Sequence, residues 1–110
     1  DWDDAIRSEL KEADIIVFLV STPFFASSYI QRGEIKEAMR RHKKGEAIVL
    51  PVMLEDTPSF RDDQWMKSLQ AVPSVDGNLK PINKFSPHRN GWVEVDKAIR
   101  EMIAESTSKK

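Results

Sequence analysis

One carboxylate, Glu34, occurs where the spacing of apolar residues predicts the buried face of a helix. At about 100° per residue, Glu34 lies between Ile30 and Ala38, roughly 40° from each of them. A carboxylate on such a face must be paired, be protonated or face a cavity, because burying an unpaired charge is costly. Glu34 is therefore the first candidate for a functional pocket. The spacing leaves a second interpretation open, a boundary residue that extends to water or pairs with Arg32 or Lys36.

The other chemically capable residues give weaker signals. A metal site is not predicted, because His42 and His88 have no cysteine, second histidine or aspartate at ligand spacing. Ser21 and Ser28 are interpreted as turn and capping residues, since no Gly-x-Ser-x-Gly elbow surrounds either one. The basic residues 40–44 are explained by the end of a helix, where cations meet the negative end of the helix dipole.

Helices and strands alternate along the sequence. The apolar spacing predicts helices over 1–13, from Ser27 or Ser28 to Lys44, over 62–72 and over 90–104, strands over 15–20, 47–54 and 80–85, a loop over 55–61 and a turn at 76–78. Gly45 is expected to end the second helix. The charges Glu37 and Arg41 are expected at the margin of its apolar face or outside it, and Trp65 and Trp92 are expected in the core.

This order of elements predicts the α/β class, with a parallel sheet between two layers of helices. The strand 15–20 is a continuous apolar run, which is typical of a strand buried on both faces. Pro51 indicates a locally unpaired edge or a bulge in the second strand, and Pro81 indicates an edge position for the third. Ligands of such sheets bind beyond the carboxyl ends of the strands, which points to 21–29, 54–60 and 85–89.

The first strand has no predicted neighbour on one side. A strand so apolar belongs inside a sheet, so at least one partner strand is expected before residue 1. The sequence begins Asp1-Trp2 without an initiator methionine and is expected to be a piece of a longer chain.

Composition and charge exclude several classes of protein. The 110 residues suffice for one domain, predicted over 1–105 with a disordered tail at 106–110. Hydrophobic residues make up 40% and charged residues 32%, which excludes a disordered chain. The net charge of −1 gives no general attraction for nucleic acid or an anionic membrane, and no apolar run approaches a membrane span. The absence of cysteine excludes disulfides and, with no targeting segment, favours a cytoplasmic location.

The segment 19–35 carries a resemblance to a known family. Its residues, LVSTPFFASSYIQRGEI, resemble the region from the third strand to the next helix of Toll/interleukin-receptor (TIR) domains, especially bacterial ones. That region has an apolar strand, then Ser-x-x-aromatic-x-x-Ser-x-Tyr/Trp, then a glutamate four or five residues later. The likeness continues through 38–52 and resumes at 69–73, 80–82 and 91–95, so that it covers nearly the whole chain.

The resemblance implies a flavodoxin-like three-layer sandwich with three strands and about four helices, lacking the N-terminal strand–helix–strand portion and the BB loop. Many TIR domains cleave NAD+ at the nicotinamide–ribose bond with a helix glutamate, which Glu34 matches. Several active members have Trp four residues before it, whereas this chain has Ile30 there and Tyr29 one residue earlier, a spacing common in bacterial members. The residues implied to bind substrate are Ser21, Phe25, Ser28, Tyr29 and Ile30. NAD+ is then the substrate, with no cofactor and no metal.

Two functions stay open at the level of the sequence. The first is an NAD+-cleaving enzyme of a bacterial immune or signalling protein, activated by self-association. Its other pocket walls would come from the missing N-terminal portion and from neighbouring subunits, which leaves open whether this segment is active alone. The second is a module that only binds other TIR domains. A phosphoacceptor domain is disfavoured, because the strand ends carry Ser21 and Leu54-Glu55-Asp56 rather than a lone aspartate.

Overall fold

The computed structural model describes residues 15–23, 33–62 and 68–108. The predicted helix over 1–13, the predicted start of the second helix and Trp65 lie outside these residues. The described elements are β1 (Ile15–Val20), α1 (Ile35–Lys43), β2 (Ile48–Met53), α2 (Pro58–Asp62), β3 (Ser74–Val75), β4 (Asn78–Leu79), a 3-10 helix (Ile82–Lys84) and α3 (Arg89–Ser108).

The two long strands form a parallel pair. Their register runs from Ile15 opposite Ile48 to Val20 opposite Met53, so all six residues of each strand take part. Both runs are rich in β-branched and aliphatic residues, which favour extended backbone. The predicted α/β class and the parallel sheet are therefore confirmed.

A glycine ends α1 where the sequence predicts it. Gly45 has φ +73°, a left-handed conformation that other residues adopt only with strain. Its N–H donates to the carbonyl of His42 (3.1 Å), and the N–H of Glu46 donates to the carbonyl of Arg41 (2.9 Å). This is the Schellman arrangement, which satisfies the last carbonyls of a helix and turns the chain into β2.

The core has two parts, one on each face of the β1–β2 pair. On one face, α1 packs its buried residues Ile35, Ala38 and Met39 against side chains of both strands. On the other face, α3 contributes Val95 to a cluster with Leu50 and Val52 of β2. Helices therefore cover both sides of the sheet, as the three-layer prediction requires.

The prediction that the strand 15–20 is buried on both faces is wrong. Ile16, Phe18 and Val20 are buried, but Val17 is 41% and Leu19 is 50% exposed. These two side chains share a sheet face with Leu50 and Val52, their partners across the ladder. The cluster that includes α3 contains Leu50 and Val52, and of the β1 residues on this face only Ile15 packs against it. The helical cover on this face therefore extends over β2 and the first residue of β1, but not over Val17 or Leu19.

The predicted third strand over 80–85 is also wrong. Ile82–Lys84 form a 3-10 helix, with N–H bonds from Lys84 to Pro81 and from Phe85 to Ile82. The third parallel pairing is instead a single bridge from Val72 to Val52 of β2. The ligand region expected at 85–89 therefore does not follow a strand.

Other predicted elements shift in position. The expected loop over 55–61 contains α2, which ends at Asp62. Residues 63–67 of the expected helix over 62–72 lie outside the described residues, and its last residue, Val72, forms an extended bridge instead. The turn at 76–78 is confirmed, because Asp76 (φ 55°) and Gly77 (φ 82°) join β3 to β4. The last helix is confirmed and continues to Ser108.

Trp92 is not a core residue. It is 43% exposed, and Ile103 on the same helix is 52% exposed. At about 100° per residue, Trp92 and Ile103 lie roughly 60° and 80° from Val95, which is the fully buried contact of α3. The apolar stripe of α3 is therefore wider than the part that touches the sheet. Within the three described ranges, no helix combines the length and apolar character that crossing a membrane requires.

The edge of β2 that faces away from β1 has a partner for each described donor. N–H groups of alternate strand residues point to the same side. The N–H of Val49 donates to His42 Nδ1 (3.3 Å), and the N–H of Met53 donates to the carbonyl of Val72 (2.8 Å). Pro51 lies between them and has no N–H to satisfy. The carbonyl of Pro51 accepts from the N–H of Val72 (2.9 Å), so this edge is paired by a single bridge and is not locally unpaired as the sequence predicts.

Candidate functional site at the carboxyl edge of the sheet

The carboxyl ends of β1 and β2 meet at one edge of the molecule. Ser21 and Thr22 follow β1 there, and Glu55 and Asp56 follow β2. The two strands are joined at this edge by the N–H of Leu54, which donates to the carbonyl of Val20 (2.9 Å). Parallel strands present their ligand sites at this edge, because loops of neighbouring strands converge there.

The start of α1 lies toward the same edge. The helix connects the end of β1 to the start of β2, and His42 in its last turn contacts the first half of β2. A helix of nine residues is about 13 Å long. In a crossover between parallel strands the helix runs opposite to the strands, so the order β1–α1–β2 indicates that α1 begins toward the carboxyl edge, with Glu34 immediately before its first residue.

Glu34 is partly buried. It has helical backbone angles (φ −70°, ψ −41°) and makes no capping hydrogen bond with its side chain. Around the helix axis it lies about 40° from Ala38 and about 20° from Arg41, and both of these residues are buried. Glu34 thus lies on the buried side of α1, as its spacing predicts.

The proposed pairing of Glu34 with Lys36 is not observed. Among the described residues no cation forms an ion pair with Glu34, and Lys36 is exposed. Arg32, the other suggested partner, lies outside the described residues.

The basic residues at the end of α1 lie toward the opposite edge of the sheet, where they bind neighbouring groups. Arg41, expected at the margin, is buried, and its Nη2 donates to the carbonyl of Glu46 (3.3 Å). Arg40 binds both carboxylate oxygens of Glu37 (2.8 and 3.1 Å), and this hydrogen bond raises the pKa of Arg40. These contacts close the helix end and its turn, which agrees with the interpretation of the basic run as a helix terminus.

A contact that the sequence did not reveal joins the two loops at the carboxyl edge. The hydroxyl of Thr22 donates to Glu55 Oε2 (3.0 Å), and the N–H of Thr22 points to the same oxygen (3.5 Å). Glu55 falls in the range 54–60 that the strand-end rule indicates, but nothing in its spacing singles it out. The contact depends on the tertiary structure, because 33 residues separate Thr22 from Glu55 in the sequence.

Only part of the predicted site can be compared with the structure. Ser21 is partly buried at the carboxyl edge, beside Thr22. Phe25, Ser28, Tyr29 and Ile30 lie outside the described residues, so their binding roles stay predictions. Among the residues that the structure describes, no group of three or more His, Asp or Glu side chains could hold a metal ion.

A parallel sheet with helices on both faces and polar loops at its carboxyl edge defines an α/β domain of the flavodoxin-like class. Comparison with known proteins then gives the family. The TIR domain model matches residues 1–81, about three quarters of the sequence, and the chain belongs to the TIR domain family.

A curated relative agrees in sequence but is itself without a known role. The chain is 38% identical over 107 residues to the uncharacterized protein y4lF of Sinorhizobium fredii. The match covers 94% of this chain and 30% of that protein. The chain therefore spans less than a third of the relative's length. No solved structure matches the chain significantly.

Proposed function

We propose that the full-length protein cleaves NAD+ between nicotinamide and ribose, with Glu34 as the catalytic carboxylate. The observation that carries the proposal is the position of Glu34 in a TIR-family chain. It is partly buried and directly precedes α1, and the order β1–α1–β2 supports a place near the edge where parallel sheets bind ligands. The implied binding residues Ser21, Phe25, Ser28, Tyr29 and Ile30 belong to the proposal, with Ser21 at the same edge.

Cleavage of the nicotinamide–ribose bond is favoured by a negatively charged group at the position of Glu34. When the bond from ribose C1′ to the nicotinamide nitrogen breaks, its electron pair neutralises the pyridinium, and positive charge develops on the ribose ring. A carboxylate stabilises this charge, and partial exclusion of water strengthens the attraction. Water then attacks C1′ and loses a proton, which gives ADP-ribose and free nicotinamide. Attack by a nitrogen of the adenine gives a cyclic product instead.

Glu34 would also accept hydrogen bonds from the ribose hydroxyls. A carboxylate has two oxygens with about four acceptor positions, so it can bind a hydroxyl pair and still face the reacting carbon. Holding the ribose in this way supplies orientation as well as charge. No metal or further cofactor takes part in the proposed reaction.

The proposed setting is a cytoplasmic protein of bacterial immunity or signalling that is activated by self-association. The chain spans less than a third of its relative y4lF, which leaves room for other domains in proteins of that kind. Exposed apolar side chains on β1 and α3 support association with further copies or domains.

The proposal is tested by incubating the full-length protein with NAD+ and following nicotinamide by chromatography. NADH is the matched control, because its dihydronicotinamide carries no positive charge and leaves far less readily. We expect nicotinamide to be released from NAD+ but not from NADH. We also expect the rate per protein molecule to rise with protein concentration. Absence of turnover at every concentration, including conditions in which the protein is assembled, would refute the enzyme.

A non-catalytic association module is the second candidate, and the exposed face of β1 favours it. Val17 and Leu19 form an apolar surface at the first strand, where a partner could bury them. Light scattering on the wild type and on Leu19→Lys tests this function. Loss of association in the variant, together with no NAD+ turnover in the wild type, would identify a module of this kind.

A further inference from the structure

The contact between Thr22 and Glu55 fixes a peptide next to a predicted binding residue. Glu55 Oε2 lies 3.0 Å from the Thr22 hydroxyl and 3.5 Å from the Thr22 backbone nitrogen. That nitrogen belongs to the peptide that joins Ser21 to Thr22. Because a peptide is planar, holding its N–H also restricts the carbonyl and Cα of Ser21.

Glu55 is itself held on a firmly bonded segment. The hydroxyl of Thr57, which is buried, donates to the Glu55 carbonyl (3.1 Å). The preceding residue, Leu54, donates to Val20 (2.9 Å) and accepts from the N–H of Asn83 (3.1 Å). The backbone that carries the Glu55 side chain is therefore attached both to β1 and to the segment after β4.

The residues that follow Ser21 lie at the surface. Thr22 and Pro23 are exposed, and β1 ends at Val20. A charged acceptor gives stronger hydrogen bonds than a neutral one, and Glu55 directs one such oxygen at two donors of Thr22. The contact links the backbone after β2 to the backbone after β1, where Ser21 lies.

We propose that Glu55 is a positioning residue for substrate binding, which sets the orientation of Ser21 by holding the Ser21–Thr22 peptide. The proposal rests on the proposed NAD+ cleavage, in which Ser21 contacts the substrate. Glu55 acts through Thr22 and Ser21 and does not itself take part in the bond cleavage.

The kinetic test uses variants that remove or keep the acceptor and the hydroxyl. Glu55→Met keeps the chain length without an acceptor, and Glu55→Gln keeps an oxygen. Glu55→Met removes the hydrogen bonds to Thr22. This loss is expected to raise KM for NAD+ about threefold to tenfold, with kcat nearly unchanged. Glu55→Gln keeps a neutral acceptor, which forms a weaker hydrogen bond than the carboxylate, so its KM is expected to rise less than that of Glu55→Met. Glu101→Gln, at an exposed position on α3, serves as the control for charge.

Double mutants show whether Glu55 acts through the named partners. In a Ser21→Ala background, Glu55→Met is expected to have little further effect on KM, since the side chain to be oriented is gone. Thr22→Val is expected to raise KM as Glu55→Met does, and Thr22→Ser is expected to restore the wild-type value. A KM effect of Glu55→Met that persists fully in Ser21→Ala would overturn the positioning role.

Amide hydrogen exchange of Thr22 gives a readout that does not depend on activity. Exchange is expected to be at least about threefold faster in folded Glu55→Met than in Glu55→Gln, because the acceptor is lost. Unchanged exchange would refute the contact. Faster exchange with unchanged KM in an active enzyme would refute the positioning role. A wild type without NAD+ turnover refutes the proposed function, and with it the kinetic role, while the exchange result still decides the contact.

Discussion

β1 and β2 pair over their full lengths, yet they differ in how the protein covers them. Five of the six residues of β2 are buried, whereas β1 alternates between buried and exposed side chains. Their sequences, IIVFLV and IVLPVM, are similarly apolar. The difference therefore comes from the neighbouring elements, because α1 packs on one face of both strands and α3 packs on the other face of β2.

The comparison shows what an apolar run does and does not specify. Continuous hydrophobicity predicts a strand of the sheet, and both strands form as predicted. It does not say which face a helix reaches, because that depends on where the chain returns. On β1, the side chains of Val17 and Leu19 are available for contacts with other parts of a longer chain or with a partner.

The largest expected effect is in the covered strand. Leu50→Ala removes a fully buried side chain from the cluster under α3 and is expected to lower the free energy of unfolding by about 2–5 kcal/mol. Chemical denaturation of the two proteins measures it. Leu19→Ala on the same sheet face is the matched control, with an expected loss below about 1 kcal/mol. Equal losses in the two variants would contradict the difference between the strands.

The outer edge of β2 is expected to depend on His42. His42→Phe keeps a planar ring but leaves the N–H of Val49 without its acceptor, which is expected to lower the unfolding free energy by about 1–3 kcal/mol. Thermal denaturation measures the change. His88→Phe, at an exposed position before α3, is expected to be nearly neutral. If both variants behave alike, the bond from Val49 to His42 does not stabilise this edge.

The turn that leads into β2 is expected to tolerate less change than the start of α1. Gly45→Ala places a side chain at φ +73° and is expected to cost about 1 kcal/mol. Gly33→Ala, where nothing lies within 4 Å of the added carbon, is expected to be neutral or slightly stabilising. The denaturation midpoints of the two variants measure these effects. A Gly45→Ala variant as stable as the wild type would contradict the Schellman turn.

The smallest expected effect is on the exposed face of β1. Leu19→Lys is expected to change the unfolding free energy of the monomer by less than about 1 kcal/mol, because half of the side chain is already in water. Calorimetry at low protein concentration measures this. A severe loss of stability would mean that this face is covered in the isolated protein.

The sequence predicts those features that local physics determines. Gly45 ends α1 because only glycine adopts that turn easily. The prediction of a third strand over 80–85 is wrong, because proline and glycine around 73–81 permit several chain paths. The residue that pairs with β2 is Val72 instead. The prediction of Trp92 as a core residue is wrong, because helical spacing defines an apolar stripe but not the part of the stripe that contacts the sheet.

The candidate site is predictable to a similar extent. Glu34 emerges from its spacing, since a carboxylate among apolar residues conflicts with the pattern of its helix. Glu55 does not, because its partner Thr22 is brought close only by the pairing of β1 with β2. Arg41 is buried against the expectation, because Glu46 in the following turn provides the carbonyl that accepts from its guanidinium.

The most direct test of the proposed chemistry compares two glutamates that lie three residues apart at the start of one helix. Nicotinamide release at saturating NAD+ is measured for the full-length wild type, Glu34→Gln and Glu37→Gln. Glu37 is bound to Arg40 at the surface, so its variant controls for loss of one carboxylate. We expect kcat to fall roughly 100-fold or more in Glu34→Gln and to change less than about twofold in Glu37→Gln. A folded Glu34→Gln variant that retains the wild-type kcat would contradict the assignment of Glu34 as the catalytic carboxylate.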